Sequence, residues 1–238
     1  MVVLLARRRQ RLDALADELR ERHSTLVVDV VSCDLADLAA LEQAVSGVEA
    51  HHGAIDVLIN NAGAGHNGLL ETTSWSAIER VIQVNAVVPM WLIHRLLPGM
   101  VDRGSGGILN IGSGAGVTPM PGEVAYTSSK HFVHGLSSTL ALELESTGVR
   151  ITEVLPGPVD SEFDEVAGIG DEGGGLPDAF RITAERCARE SIEAFDRGAL
   201  VCYPGTAYRW LMRVRGAIPA RLERSAMRKR ARSLRARR

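Results

Sequence analysis

Tyr126 and Lys130 stand four residues apart in the run Tyr126-Thr127-Ser128-Ser129-Lys130. Residues i and i+4 share one face of a helix, so both side chains can reach one small molecule. A cation held beside a phenol favours phenolate and brings its pKa toward working pH, which suits Tyr126 to general acid–base chemistry. Composition sharpens the signal: there are 3 tyrosines, and of 27 basic residues only Lys130 and Lys229 are lysines. Arg cannot give up its proton and is a planar fork, whereas Lys is a compact point charge. The same pair also suits the solvated face of a helix, so spacing alone leaves both readings open.

The elements that must position this pair alternate between strand and helix. Short apolar, β-branched runs predict strands at Val2–Ala6, Leu26–Cys33, Ile55–Asn60, Gly107–Ile111, Arg150–Leu155 and Ala199–Cys202. Helical periodicity predicts helices over Arg9–His23 and Asp37–His52. It also predicts a long helix over Ser74–Arg103, bent near Pro89 and ended after Pro98. Two more follow, over Ala125–Thr147 with Gly148 as cap and over Thr183–Arg197 with Thr183 as N-cap. Continuous apolar strands alternating with helices imply a Rossmann-type, three-layer α/β/α fold with a mainly parallel sheet. Ligands in such folds bind beyond the strands' carboxyl ends. Asp34, Asn60-Asn61-Ala62-Gly63, Ser113 and Pro156-Gly157 all follow predicted strands there.

Composition bounds the rest. A chain of 238 residues with 45% hydrophobic content and 4% aromatics suits one domain with an aliphatic core. No apolar run approaches the ~20 residues of a transmembrane helix. Cys33, Cys187 and Cys202 lack metal-type spacing and cannot all pair, which points to a reducing, cytoplasmic setting with no metal, while the basic tail leaves a membrane-peripheral place open. The net charge of -2 hides a split: Arg209–Arg238 carries +11 and the remainder -13. The organisation expected is a body over 1–205 and a basic helical tail over 206–238.

Asn60-Asn61-Ala62-Gly63 at a strand end, Asn85 in the helix beyond, Ser113 ending the next strand, and then Tyr126 and Lys130 occur in that order. This order resembles the classical short-chain dehydrogenase/reductase family from Val2 to about Gly205. The resemblance implies an NAD(P)-dependent oxidoreductase. Tyr126 would exchange a proton with a carbonyl or alcohol oxygen, and Lys130 would hold the nicotinamide ribose. Ser113 would bind the carbonyl oxygen, and Asn85 would hold a water leading from Lys130 to solvent. Asn61, Ala62, Gly63, Pro156, Gly157 and Val159 would line the cofactor, with Ser161 at the carboxamide and Asp34 and Leu35 along the adenine. Taken singly, Ser113 between glycines also suits a turn and Asn85 a satisfied core amide.

The acid that selects NAD in this family, at the end of its second strand, is absent here. That strand end is Ala6, followed by Arg7 and Arg8. Guanidinium groups bind a phosphate bidentately, so NADP is expected over NAD. The family's first strand, Thr-Gly-x-x-x-Gly-x-Gly turn and helix do not occur in these 238 residues. Two explanations follow. One is a start placed late, with about 30 residues of a βα unit upstream. The other is a cofactor-deficient relative that acts as a binding or scaffold protein.

In the tail, Leu211, Val214, Ile218 and Leu222 recur at helical spacing among arginines, near Trp210 and Met212, and Pro219 would open a second short helix. Such a segment can lie on an anionic membrane, although a merely solvated terminus fits as well. Nucleic acid is disfavoured by the acidic body. Asp160–Phe180, rich in glycine, lies where the family places a substrate lid. Phe163, Val166, Ile169 and Leu176 there would cover a small-molecule carbonyl or alcohol of apolar or lipid-like character. The resemblance also implies a homodimer or homotetramer through the two long helices.

Overall fold

A computed structural model describes residues 1–168, 176–215 and 220–236. The chain forms two compact units, Met1–Ile55 and Asp56–Arg238. In the first, β1 (Val2–Ala6) pairs in parallel with β2 (Val28–Ser32), with Ala6 opposite Ser32. The crossover is α1 (Arg9–Arg22), which buries Leu12 and Ala16. Next comes α2 (Leu38–His52), which buries Leu41, Val45 and Val48. Asp37 caps it, its carboxylate accepting from the amides of Ala39 and Ala40 at 3.0 and 3.1 Å, which satisfies two of the helix's orphan donors.

The second unit holds a four-stranded parallel sheet in the order β3-β4-β5-β8. These strands are Val57–Asn60, Gly106–Ile111, Val149–Val154 and Val201–Cys202. Two residues each of β6 (Val159–Asp160) and β7 (Ile182–Thr183) form a separate parallel pair inside and just beyond the expected lid. The strands pair in parallel as expected; among the described residues they fall into three separate ladders. The core of the four-stranded sheet gathers Leu109, Val154, Ala194, Phe195 and Cys202. A side chain at Gly107 would strike the Phe195 ring, so the strand runs bare there to admit it.

The long helix forms, but its irregularity is not where proline placed it. From α3 (Trp75–Ile82) the chain widens into a π turn at Gln83–Val87 and continues as α4 (Val88–Asp102). Pro98 sits inside α4 without ending it. Pro89 acts one turn earlier. It has no N–H to donate to the carbonyl of Asn85, so the α-helical bond is lost there and the wider turn absorbs the mismatch. Trp75–Asp102 is also long and apolar enough to cross a bilayer, contrary to expectation. Here Val81, Val84, Ile93, Leu96 and Met100 are buried inside the unit, as in a core helix.

Helix α5 (Val124–Glu143) carries Tyr126 and Lys130 and ends four residues before the Thr147 expected. Gly148 does not cap it. Its positive φ of 79° lets its α-carbon press against the Gly104 carbonyl, where any side chain would collide. After β5 come α6 (Phe163–Val166), α7 (Ala184–Asp196, capped by Thr183 as expected), α8 (Thr206–Arg215) and α9 (Ala220–Ala236). Ile169, Gly173–Gly175, Ile218 and Pro219, and the side chains of Val166 and Leu222, lie outside the described residues.

Candidate active site

The site is assembled around the first turns of α5. Tyr126 and Lys130 are both buried, and the Lys130 Nζ lies 5.8 Å from the Tyr126 ring centroid. The ammonium donates to the carbonyl of Ile111, the last residue of β4, at 2.8 Å. Burial, only partly offset by the charge of Glu153, pulls the Lys130 pKa down to about 8. Desolvation disfavours an ammonium, and a nearby carboxylate restores it in part. Tyr126 packs with Val81, Ala115, Ala64, Met120, Ala125 and Phe163. The Phe163 ring, from the start of the lid segment, lies 5.5 Å from the phenol ring.

Ser113 follows β4 and opens the tight turn Gly114–Gly116. Its Oγ accepts from the Ala115 amide at 3.1 Å, which leaves the hydroxyl hydrogen free to be donated. The turn is pressed onto α5, because an added Cβ at Gly116 would lie 2.8 Å from the Lys130 carbonyl oxygen. The Gly114 amide donates to the Pro156 carbonyl at 2.9 Å, so the loops after β4 and β5 are joined. At Gly157 a Cβ would meet the Tyr208 ring at 2.7 Å; only glycine lets that ring lie there.

Asn85 is 1% exposed and its amide is fully engaged. Oδ1 accepts from the Ala64 N–H at 2.8 Å; Nδ2 donates to the Ala64 carbonyl at 2.8 Å and to the Ser129 Oγ at 3.0 Å. Ser129 in turn donates to the Tyr126 carbonyl at 2.7 Å. The side chain therefore ties the loop after β3 to the helix that carries Tyr126. Asn61, Ala62 and Gly63 in that loop are exposed. Val159 is half-buried in β6, and Ser161 turns its Oγ to the Phe163 amide at 3.4 Å.

The remaining predicted residues belong to the first unit. Arg7 and Arg8 are exposed just after β1, and Asp34 is exposed just after β2. The parallel register puts the two strand ends side by side, with the Cys33 amide on the Ala6 carbonyl at 3.0 Å. Leu35 is buried. The Asp34 carboxylate accepts from the Ala36 amide at 3.1 Å, a local turn.

Sequence reading missed five polar residues that the packing brings in. Asn60 donates to Asn110 at 2.8 Å and Asn110 to Ser137 at 2.9 Å, a buried chain running from β3 through β4 to α5 that adds Asn110 and Ser137. Ser129 is the third. Glu153 and His134, 2.7 Å apart, are the others. An acid in the middle of an apolar strand, and a histidine four residues after Lys130, were the signals available.

Comparison with known proteins identifies the family. The model of the short chain dehydrogenase family matches residues 1–169. The chain is 38% identical over 175 residues to the NADP-dependent 3-hydroxy acid dehydrogenase YdfG of Salmonella typhi, covering 72% of this chain and 68% of that protein. It is 36% identical over 173 residues to the sulfoacetaldehyde reductase of Chromohalobacter salexigens, covering 72% and 67%. Among solved structures, a short-chain dehydrogenase from Sphingobium yanoikuyae in complex with NADPH superposes with a TM-score of 0.77 at 34% identity, covering 90% of this chain and 82% of that one. With a family model spanning most of its length and a Tyr126–Lys130 pair buried beside Ser113's turn, the chain belongs to the short-chain dehydrogenase family.

Proposed function

We propose that the protein is an NADP-dependent oxidoreductase that interconverts a carbonyl and an alcohol, with Tyr126 as general acid and base, on an apolar or lipid-like small molecule. The observation that carries this is the burial of Tyr126 among Ala64, Met120 and Phe163 with the Lys130 ammonium beside its ring. The apolar surroundings favour an apolar substrate. NADP is supported by relatives whose names carry it. It is also supported by the first unit, which has two exposed guanidiniums after β1 and no acid at that strand end. Those residues, with Asp34 and the buried Leu35 after β2, fit the adenosine end. Asn61, Ala62, Gly63, Pro156, Gly157, Val159 and Ser161 would line the rest, with Lys130 at the ribose. Bound NADP supplies or accepts the hydride.

The protein's own residues do the remaining work. The Tyr126 phenol gives its proton to the carbonyl oxygen in reduction and takes it back in oxidation. Ser113, whose oxygen is occupied by the Ala115 amide, donates its hydrogen to the same oxygen and stabilises charge developing there. Lys130 keeps a positive charge near the phenol below its pKa of about 8. The Asn85 carbonyl, denied its α-helical donor by Pro89, is the place for a water that returns protons to Lys130. The Asn85 amide itself is a structural tie.

The test is Tyr126→Phe. The rate falls by about 10²–10⁴-fold, while NADPH binding, followed by fluorescence titration, persists. Full activity in the variant would refute the role. No NADPH binding, even by a chain carrying the family's first βα unit ahead of Met1, would favour the second reading, a binding or scaffold protein.

The same proposal keeps 1–205 as the Rossmann-type domain with 206–238 as its appendage, and a cytoplasmic setting suited to three free thiols. A homodimer or homotetramer through α4 and α5 is supported by the exposed Met90, Phe132 and Leu142 and is tested by light scattering. Peripheral membrane contact is supported by Trp210 and Val214, exposed on α8. Equal liposome flotation of the full chain and one ending at Gly205 would remove it.

A further inference from the structure

Glu153 sits in β5, a strand paired on both sides, and is 1% exposed. Its Oε2 meets the His134 Nδ1 at 2.7 Å, and its Oε1 is buried without a hydrogen-bond partner. A side chain added at Gly112 would come within 2.9 Å of that Oε1. The free oxygen therefore lies directly beneath the backbone that leads from Ile111 into Ser113. Lys130 donates to the carbonyl of Ile111, one residue before Gly112. Lys130 and His134 are i and i+4 on α5, so one helix face carries both the ammonium that binds Ile111 and the imidazole that binds Glu153. The ring of His134 is half-buried and reaches toward solvent.

We propose that Glu153 and His134 are positioning residues that hold Lys130 in its charged form beside Tyr126, His134 being the solvent-facing end of the line. This rests on the catalytic role proposed for Tyr126 and Lys130. The physical logic is electrostatic. A buried ammonium with only one carbonyl acceptor tends to lose its proton. A carboxylate in the same low-dielectric region opposes that loss, but only while it is itself ionised. Burial pushes Glu153 toward protonation, and the hydrogen bond and charge of His134, then the charge of Lys130, push it back. The imidazole thus acts on Lys130 through Glu153. Among the described residues Tyr203, after β8, also feels Glu153: its phenol is raised first by burial and then by Glu153, with Arg215 of α8 opposing.

The chain has two lysines, Lys130 and Lys229, so protein labelled with ¹³C-lysine gives two titrating side-chain signals, and Lys229→Arg assigns them. The parent midpoint for Lys130 is expected at about 8. Glu153→Gln lowers it by about one pH unit, and His134→Leu lowers it by less. Glu153→Asp, which keeps the carboxylate, and His134→Gln, which keeps a hydrogen-bond donor for it, restore it. The alkaline limb of kcat moves with the midpoint while KM holds. Should Lys130 titrate at the parent midpoint in both Glu153→Gln and His134→Leu, the inference is overturned. A uniform loss of kcat at every pH without movement of the midpoint overturns it too, because packing alone would give that. An active Tyr126→Phe variant with a shifted lysine midpoint would instead refute the catalytic reading and leave the electrostatic line standing.

Discussion

Replacing Asn85 by alanine removes three hydrogen bonds at once, two to the Ala64 backbone and one to Ser129. Each such bond contributes about 1 kcal/mol net, and groups left buried without a partner cost more. Ala64 is half-buried, so water partly replaces what it loses, whereas Ser129 is buried. The expected loss is about 3 kcal/mol, or about two decades in the folded-to-unfolded ratio. With an m-value of about 3 kcal/mol/M for a chain of this size, the urea midpoint read by circular dichroism falls by about 1 M. Asn85→Asp is no rescue. It keeps an acceptor for the Ala64 amide but turns a second oxygen toward the Ala64 carbonyl. Ser129 could serve that oxygen only by abandoning the Tyr126 carbonyl. The rate should fall in both variants, since the tie anchors the turn of α5 that holds Tyr126. A loss below about 1 kcal/mol in Asn85→Ala would show that these bonds are not net stabilising, and the idea of a structural tie would fail with it.

Other perturbations have clear signs. Gly116→Ala should cost about 1–3 kcal/mol, because its Cβ meets the Lys130 carbonyl at 2.8 Å, whereas Gly135→Ala, in open space on the same α5, should stabilise by about 0.5–1 kcal/mol; thermal melts of the pair test this. Unfolding should become harder by about 1 kcal/mol from pH 8 to 9. In that window the unfolded Lys130, with its ordinary value of 10.5, binds a proton that the folded form, at about 8, has released. Above pH 9 the gain should level off, since Cys202, raised to about 11 by burial, keeps its proton in the folded state and stability falls as it titrates. Urea midpoints at each pH read this out, and a rise that survives in Lys130→Met would assign it elsewhere. Arg230 of α9 pairs with the buried Glu123 at 2.6 Å. Arg230→Ala removes this ion pair from the buried carboxylate, so limited proteolysis should cut the last helix faster while salt up to 0.5 M has little effect on the parent.

Much of this was legible because periodicity is local. Leu41, Val45 and Val48 marked the buried face of α2, and Thr183 marked a helix start, through rules spanning four residues. The Tyr126–Lys130 pair was legible for the same reason. What escaped reading depends on partners far along the chain. Pro89 was rightly suspected, but its effect falls on Asn85, one turn earlier, where a local rule would not look. Gly148 has the form of a helix cap, yet its conformation answers to Gly104, just before the neighbouring strand. The engagement of Asn85 with Ala64 and Ser129 spans 21 and 44 residues, and no pattern announces it. Nor did the basic tail announce that Arg230 and Arg235 would be taken up by Glu123 and Glu71 rather than by an outside surface.

The π turn at Gln83–Val87 has a consequence for how this chain can vary in length. A helix turns by about 100° per residue, so a one-residue deletion between Trp75 and Asp102 would swing everything on one side of it by that angle. Val81, which packs with Tyr126, and Met100, which packs under Gly106, lie on opposite sides of the wide turn. They can both face inward only with the present number of residues between them. Substitutions along this helix can be absorbed by repacking, but a change of count cannot. The spacing from Val81 to Met100 is thus a constraint of phase, held by the fold even where no single side chain in between is essential.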